Sequence, residues 1–177
     1  RAYLDTIYAQ SFLNSEIIAI QSAYETGWWT SYWWEQRLNP AGISITGDPN
    51  QNAASKTWTN GRDAARAHMT HVWLYARGTT LPAGFPGSRE EDPRWDAAVA
   101  AGYGGTKPTL ASLTNTWAID SRYHEKLVAI LNQRPASDTP PSDSGDEGGE
   151  DMSAFRAVIA MGHRNTNRGG ASNEINW

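Results

Sequence analysis

The sequence predicts a mainly α-helical (α+β) domain with a small β lobe, then a linker and the opening of a second, α/β unit. Three observations predict it. Apolar residues recur at helical spacing in segments that carry recognisable caps. Residues 38–59 are broken by Asn39-Pro40, Gly42, Gly47 and Asp48-Pro49, all turn formers. Residues 135–151, PASDTPPSDSGDEGGED, show no apolar periodicity. Such a stretch buries too little surface to offset the entropy of ordering it, and reads as a flexible linker.

Taken in order, Ala2 to Ser11 reads as a partial helix with Leu4, Ile7 and Tyr8 on one side. Asn14 or Ser15 caps a second helix to about Thr26, whose apolar positions are Ile17, Ile18, Ile20, Ala23 and Tyr24. Gly27 is its C-terminal stop. A short aromatic helix follows from Trp28 to Gln36, then the turn-rich stretch, where Ile43 to Ile45 and Lys56 to Thr59 are the candidate strands of a hairpin lobe. The strongest helix runs from Asn60 or Gly61 to about Ala76, with Ala64, Ala65, Met69, Val72, Trp73 and Ala76 on its buried side. Asp92 as N-cap and Pro93 at the first position open a helix to about Ala101. A short helix near Thr109 to Trp117 and a last one from Ser121 to Leu131 complete a domain at 1–134. The tail, 152–177, begins with the strand-like run Phe155 to Met161.

Charge and composition narrow the function. The net charge is −4, against a dedicated nucleic-acid binder. The linker supplies this acidity, since residues 1–134 balance bases and acids. There is no Cys, which removes disulfides, thiolate nucleophiles and Cys-based zinc sites. No apolar run is long enough to span a bilayer, and no signal peptide opens the chain. Arg1 rather than Met stands first, so a longer protein is expected. Nine Trp and seven Tyr stand against three Phe, and Trp28, Trp29, Tyr32, Trp33 and Trp34 crowd together. Indole and phenol faces with a polar handle suit sugar rings as well as cores.

Glu25 is the leading candidate for chemistry. It closes an apolar helix beside Gly27, Trp28 and Trp29. A carboxyl group against indole faces loses hydration, so its pKa rises and it keeps a proton near neutral pH, as glycosidic general acids require. Among the tryptophans, core packing accounts for most; Trp28, Trp29 and Trp117 are the sugar-binding candidates, Trp29 and Trp117 foremost. His68 and His71 share a helix face at a spacing that a metal can use, yet no third ligand is evident and hydrogen-bonded structural roles are expected.

These residues fall into a pattern. AIQSAYETGWWTSYWW followed by NPAGISITGD, then Ala65-Arg66-Ala67 with His71 to Ala76, then Tyr123, Lys126, Leu127 and Ile130 in Y-x-x-K-[LV]-x-x-I order, resemble the peptidoglycan N-acetylglucosaminidases of glycoside hydrolase family 73 over about residues 3–133. The resemblance implies a lysozyme-like fold with helices around a cleft and a small β lobe. It implies cleavage of the β-1,4 bond after N-acetylglucosamine, with Glu25 as the acid. Tyr123 would position substrate and Asn39 would brace the cleft turn below the acid. Better-studied members carry a Glu in the β lobe. Residues 44–60 hold only Asp48, so Asp48 is the β-lobe candidate, with Glu35 as an alternative and the substrate's own acetamido group as a third route.

In the tail, His163 follows the strand-like run and Glu174 comes eleven residues later. This segment resembles the opening of zinc-dependent N-acetylmuramoyl-L-alanine amidases, which implies a partial zinc site at His163 and Glu174. The expectation is therefore a monomeric piece of a bifunctional endolysin or autolysin, extracellular or at the cell wall, with peptidoglycan glycan strands as partner. The first domain needs no cofactor, and the intact amidase takes zinc. A lytic transglycosylase and a non-catalytic peptidoglycan-binding module are the alternatives.

Overall fold

A computed structural model describes residues 1–10, 12–46, 48, 50, 52, 55–133 and 177. The expected linker and the amidase-like tail, with His163 and Glu174, lie outside these residues. Six α-helices order the described part: α1 (Ala2–Ala9), α2 (Ser15–Glu25), α3 (Tyr32–Arg37), α4 (Gly61–Arg77), α5 (Trp95–Ala100) and α6 (Tyr123–Asn132). Short 3₁₀ turns occupy Arg89–Glu91 and Ala111–Leu113. No described helix is long and apolar enough to cross a membrane.

The caps that the sequence announces form. Asn14 Oδ1 accepts from the N–H groups of Glu16 and Ile17 at 3.1 and 3.2 Å, and Asn60 Oδ1 does the same for Arg62 and Asp63 at the start of α4. Helix α2 is buried from Glu16 to Ala23 on every side, including the polar Gln21 and Ser22. Helix α4 is amphipathic and packs chiefly on α1. Their close approach occurs at Gly61, where an added Cβ would stand 2.8 Å from the Tyr3 nitrogen. Helix α6 lies against α2 through the buried Tyr123 and Leu127. Alternative chain paths are discouraged by a core of Ile7, Ile17, Ile18, Ile20, Met69, Val72, Leu74 and Leu113, all nearly inaccessible.

Three local expectations differ. The aromatic helix begins at Tyr32, not Trp28, because Gly27, Trp28 and Trp29 all take left-handed backbone (φ 57°, 62° and 61°). Helix α5 begins at Trp95 rather than at Pro93. The Asp92 carboxylate is drawn inward by His71 at 2.8 Å while its other oxygen takes the Arg94 N–H, so the first residues form a turn. The expected helix at 109–117 shrinks to the turn Ala111–Leu113, ended shortly after by left-handed Asn115 (φ 58°).

The β lobe is the larger correction. Among the described residues of 38–60 there is no strand, and an isolated β-bridge pairs Thr114 with Ala118. Side chains take the backbone groups that a neighbouring strand would have used. Asn39 donates from Nδ2 to the Ile43 carbonyl at 2.8 Å and accepts the Ile43 N–H at 2.9 Å. Asn52 clamps Thr46 in the same two-armed way, at 2.6 and 2.7 Å. Local amide clamps of this kind compete with ladder formation.

Asn39 is 1% exposed, and its Oδ1 also meets the Ala41 N–H. Asn39→Leu keeps the volume but strands the buried Ile43 N–H and carbonyl. It should cost about 2–3 kcal/mol and lower Tm by roughly 5–10 °C, read by thermal denaturation followed by circular dichroism. An unchanged Tm would mean that the clamp adds nothing to the turn.

Candidate active site

Glu25 is the last residue of α2, and the way that helix ends decides where its carboxyl group sits. The Trp28 N–H bonds to the Ala23 carbonyl at 2.6 Å and the Gly27 N–H to the Tyr24 carbonyl at 3.3 Å. This is a Schellman closure, with glycine at the left-handed position that suits it. The chain then continues left-handed through Trp28 and Trp29, a conformation that bulky residues adopt only when their surroundings hold them there. Thr26 does much of the holding. Its Oγ1 accepts the Trp29 N–H at 2.9 Å, and its carbonyl accepts the N–H groups of Thr30 and Ser31. Trp29 is further fixed by its indole N–H on Ser22 Oγ at 2.9 Å and by ring contacts with Tyr3 and Trp34. Trp28 is 37% exposed beside it.

Three elements converge on the carboxylate. Tyr123, the first residue of α6, donates its phenol proton to Glu25 Oε1 at 2.5 Å. Trp117 stands near enough to the same carboxylate to favour its charged form. Its indole ring rests 5.7 Å from His68, 5.0 Å from His71 and 5.8 Å from Tyr75. The turn braced by Asn39 brings Gly42 in, with left-handed backbone (φ 62°); a Cβ there would lie 3.9 Å from Glu25 Oε2. Burial, opposed by the bond from Tyr123 and by Trp117, raises the Glu25 pKa to about 7. The position at a helix C-terminus acts in the same direction, since the negative end of the dipole disfavours a carboxylate. The chemistry available is that of a carboxylic acid kept protonated near neutral pH and oriented by the Tyr123 hydroxyl.

The other predicted residues divide. Asp48 spends Oδ1 on the Asn50 N–H at 2.9 Å, a turn-forming bond. Glu35 is exposed on α3, and Trp58 is core at 3% exposure. His68 is fully buried between Tyr3 and Gln21. Burial, with a smaller contribution from His71, depresses its pKa to about 3. Among the described residues no group of three or more His, Asp or Glu is placed to hold a metal ion. Gln21, Tyr3 and Gly42 were not among the sequence candidates. Gln21 had a readable signal, a lone amide inside an apolar helix one turn before Glu25.

No curated protein and no solved structure matches the chain. The family model described as mannosyl-glycoprotein endo-beta-N-acetylglucosaminidase matches residues 2–134, which spans all six helices and every residue that converges on Glu25. With residues 2–134 of its 177 matched, the chain belongs to the glucosaminidase family, glycoside hydrolases with endo-β-N-acetylglucosaminidase activity and a role in peptidoglycan hydrolysis.

Proposed function

We propose that the enzyme cleaves the β-1,4 bond after N-acetylglucosamine in the glycan strands of the bacterial cell wall, with Glu25 as general acid. The observation that carries this reading is the Glu25 carboxyl group, held by the Tyr123 hydroxyl at 2.5 Å and raised to about 7 by burial. Protonated Glu25 donates to the leaving glycosidic oxygen as the bond breaks. Its second oxygen stays on the Tyr123 phenol, so the carboxylate that results is stabilised as it forms. On the opposite face of the sugar, either a water or the substrate's acetamido oxygen attacks the anomeric carbon. Tyr123 and Asp48 are the proposed residues for positioning that nucleophile. Trp28 and Trp29, set by the left-handed loop, and Trp117 are the proposed sugar contacts, and Asn39 holds the turn facing the acid.

The tail supports reading the chain as part of a bifunctional lytic enzyme. The sequence from Gly162 to Glu174 is the support, and the intact second unit would take zinc through ligands that include His163 and Glu174. Such an enzyme acts as a monomer, extracellularly or at the cell wall, because its polymer substrate lies there.

Product analysis tests the bond. Digestion of defined peptidoglycan should release fragments with new reducing N-acetylglucosamine ends, identified by mass spectrometry after borohydride reduction. Fragments ending in 1,6-anhydromuramic acid would instead establish a lytic transglycosylase. Binding without any new ends would establish a non-catalytic module.

A further inference from the structure

Three buried polar side chains lie behind the Glu25–Tyr123 pair, one from each of α1, α2 and α4. Tyr3, Gln21 and His68 are 2%, 0% and 0% exposed. Unpaired polar groups at such depth are costly, so their partners are informative. They pair with one another in a single file. Tyr3 Oη meets His68 Nδ1 at 2.5 Å, His68 Nε2 meets Gln21 Oε1 at 3.1 Å, and Gln21 Nε2 meets Tyr123 Oη at 3.1 Å. The file ends with Tyr123 on Glu25.

With Gln21 Nε2 facing Tyr123, the direction of every proton in this file follows. A neutral imidazole has one donor nitrogen and one acceptor. Gln21 Oε1 can only accept, so His68 Nε2 carries the hydrogen and Nδ1 accepts from the Tyr3 phenol. With its oxygen turned to His68, the Gln21 amide presents N–H to Tyr123. The Tyr123 oxygen receives that hydrogen, which leaves its own proton to point at Glu25. Reversing any one link would set donor against donor or acceptor against acceptor.

We propose that Gln21 and His68 are positioning residues for catalysis, a buried hydrogen-bond file that locks Tyr123 as a donor to Glu25. The proposal rests on the reading of Glu25 as the general acid. The file works without titrating. Burial keeps His68 neutral, and the ionisable groups facing it are Tyr3 from α1 and His71 on its own helix, with Asp92 behind His71.

A double-mutant cycle in the full chain tests it. Gln21→Leu should lower kcat about 10-fold with KM within about 3-fold, because Tyr123 loses the partner that fixes its hydroxyl rotor. The alkaline limb of the pH–rate profile should move upward as Tyr123 becomes a poorer donor. On a Tyr123→Phe background the same substitution should change kcat less than about 2-fold and leave the limb in place. An equal loss on both backgrounds would overturn the file, since a purely structural role for Gln21 predicts that result. Nitrogen-15 NMR of His68 in the wild-type protein gives a second, independent decision. The file requires the Nε2–H tautomer, unprotonated at Nδ1, from pH 5 to 8; titration in that range or the opposite tautomer overturns it. If the wild-type enzyme releases no reducing ends at all, the acid reading fails, and the NMR result still decides the file.

Discussion

Glu25→Gln is expected to lower kcat by about 10³- to 10⁴-fold while glycan binding stays within about 3-fold of wild type. The substitution keeps the size of the side chain and leaves an oxygen for Tyr123 to donate to. What it removes is the transferable proton, so the loss should fall on kcat rather than on KM. The pH dependence follows with a definite sign. A general acid works in its protonated form, and the Glu25 pKa is raised to about 7, with burial as the largest cause. Wild-type kcat/KM should therefore be high on the acid side and fall tenfold per unit once pH exceeds about 7. Reducing-end assays across pH 4–9, with binding measured separately on the Gln variant, check both statements. Parent-rate clearance of cell walls by the Gln variant would remove Glu25 from the mechanism.

The same shift has a consequence for stability. The folded-state pKa lies above the ordinary glutamate value of 4.5, so the folded protein holds this proton more tightly than the unfolded chain does. Stability from this group is fully present below about 4.5 and is lost as pH rises through about 7. At pH 8 wild type thus carries an ionised carboxylate in a site that disfavours it, at a cost of order 1–3 kcal/mol. The Gln variant is free of that cost. It should therefore be the more stable protein at pH 8 and lose the advantage near pH 4, a pattern that separates loss of chemistry from loss of fold.

How much of this was legible beforehand depends on the range of each interaction. The ends of α2 and α4 were readable because caps are local: Asn14, Gly27 and Asn60 act within a few residues of themselves. The surroundings of Glu25 are not local in this way: its hydroxyl donor Tyr123 lies 98 positions away, while the adjoining Trp29 packs on Ser22, Tyr3 and Trp34. The β lobe was misjudged because alternating Ile43 and Ile45 suit a strand, and nothing local says that Asn39 will claim the Ile43 backbone. Helix α5 starts late because Asp92 is drawn to His71, a partner on another helix. The largest omission, the file through Tyr3, His68 and Gln21, joins residues 65, 47 and 102 positions apart. Each looks like an ordinary core polar residue until the helices are packed. The two consecutive left-handed tryptophans were invisible too, because their backbone is set by Thr26 and Ser22 rather than by their own preference.

Tyr123→Phe should produce the second-largest loss, and it discriminates between two views of what this residue does. If the phenol only fills space, phenylalanine is a near-perfect replacement in a site that is 0% exposed. The hydroxyl, however, has two partners, accepting from Gln21 at 3.1 Å and donating to Glu25 at 2.5 Å. A hydrogen bond to a charged group is worth about 1.5–3 kcal/mol, and this one matters most once Glu25 has given up its proton. Its removal should lower kcat about 10- to 100-fold with little change in KM. The Tyr123 bond also pulls the Glu25 pKa down against the effect of burial, so the alkaline limb should move above about 7 in the variant. Stability should fall as well, by about 1–3 kcal/mol, because the fully buried Gln21 amide loses its acceptor. The three readouts together identify the cause. A stability loss with an unmoved limb would mean that Tyr123 serves the fold alone, whereas a lower kcat with an upward-shifted limb requires the donated proton to act on Glu25 itself.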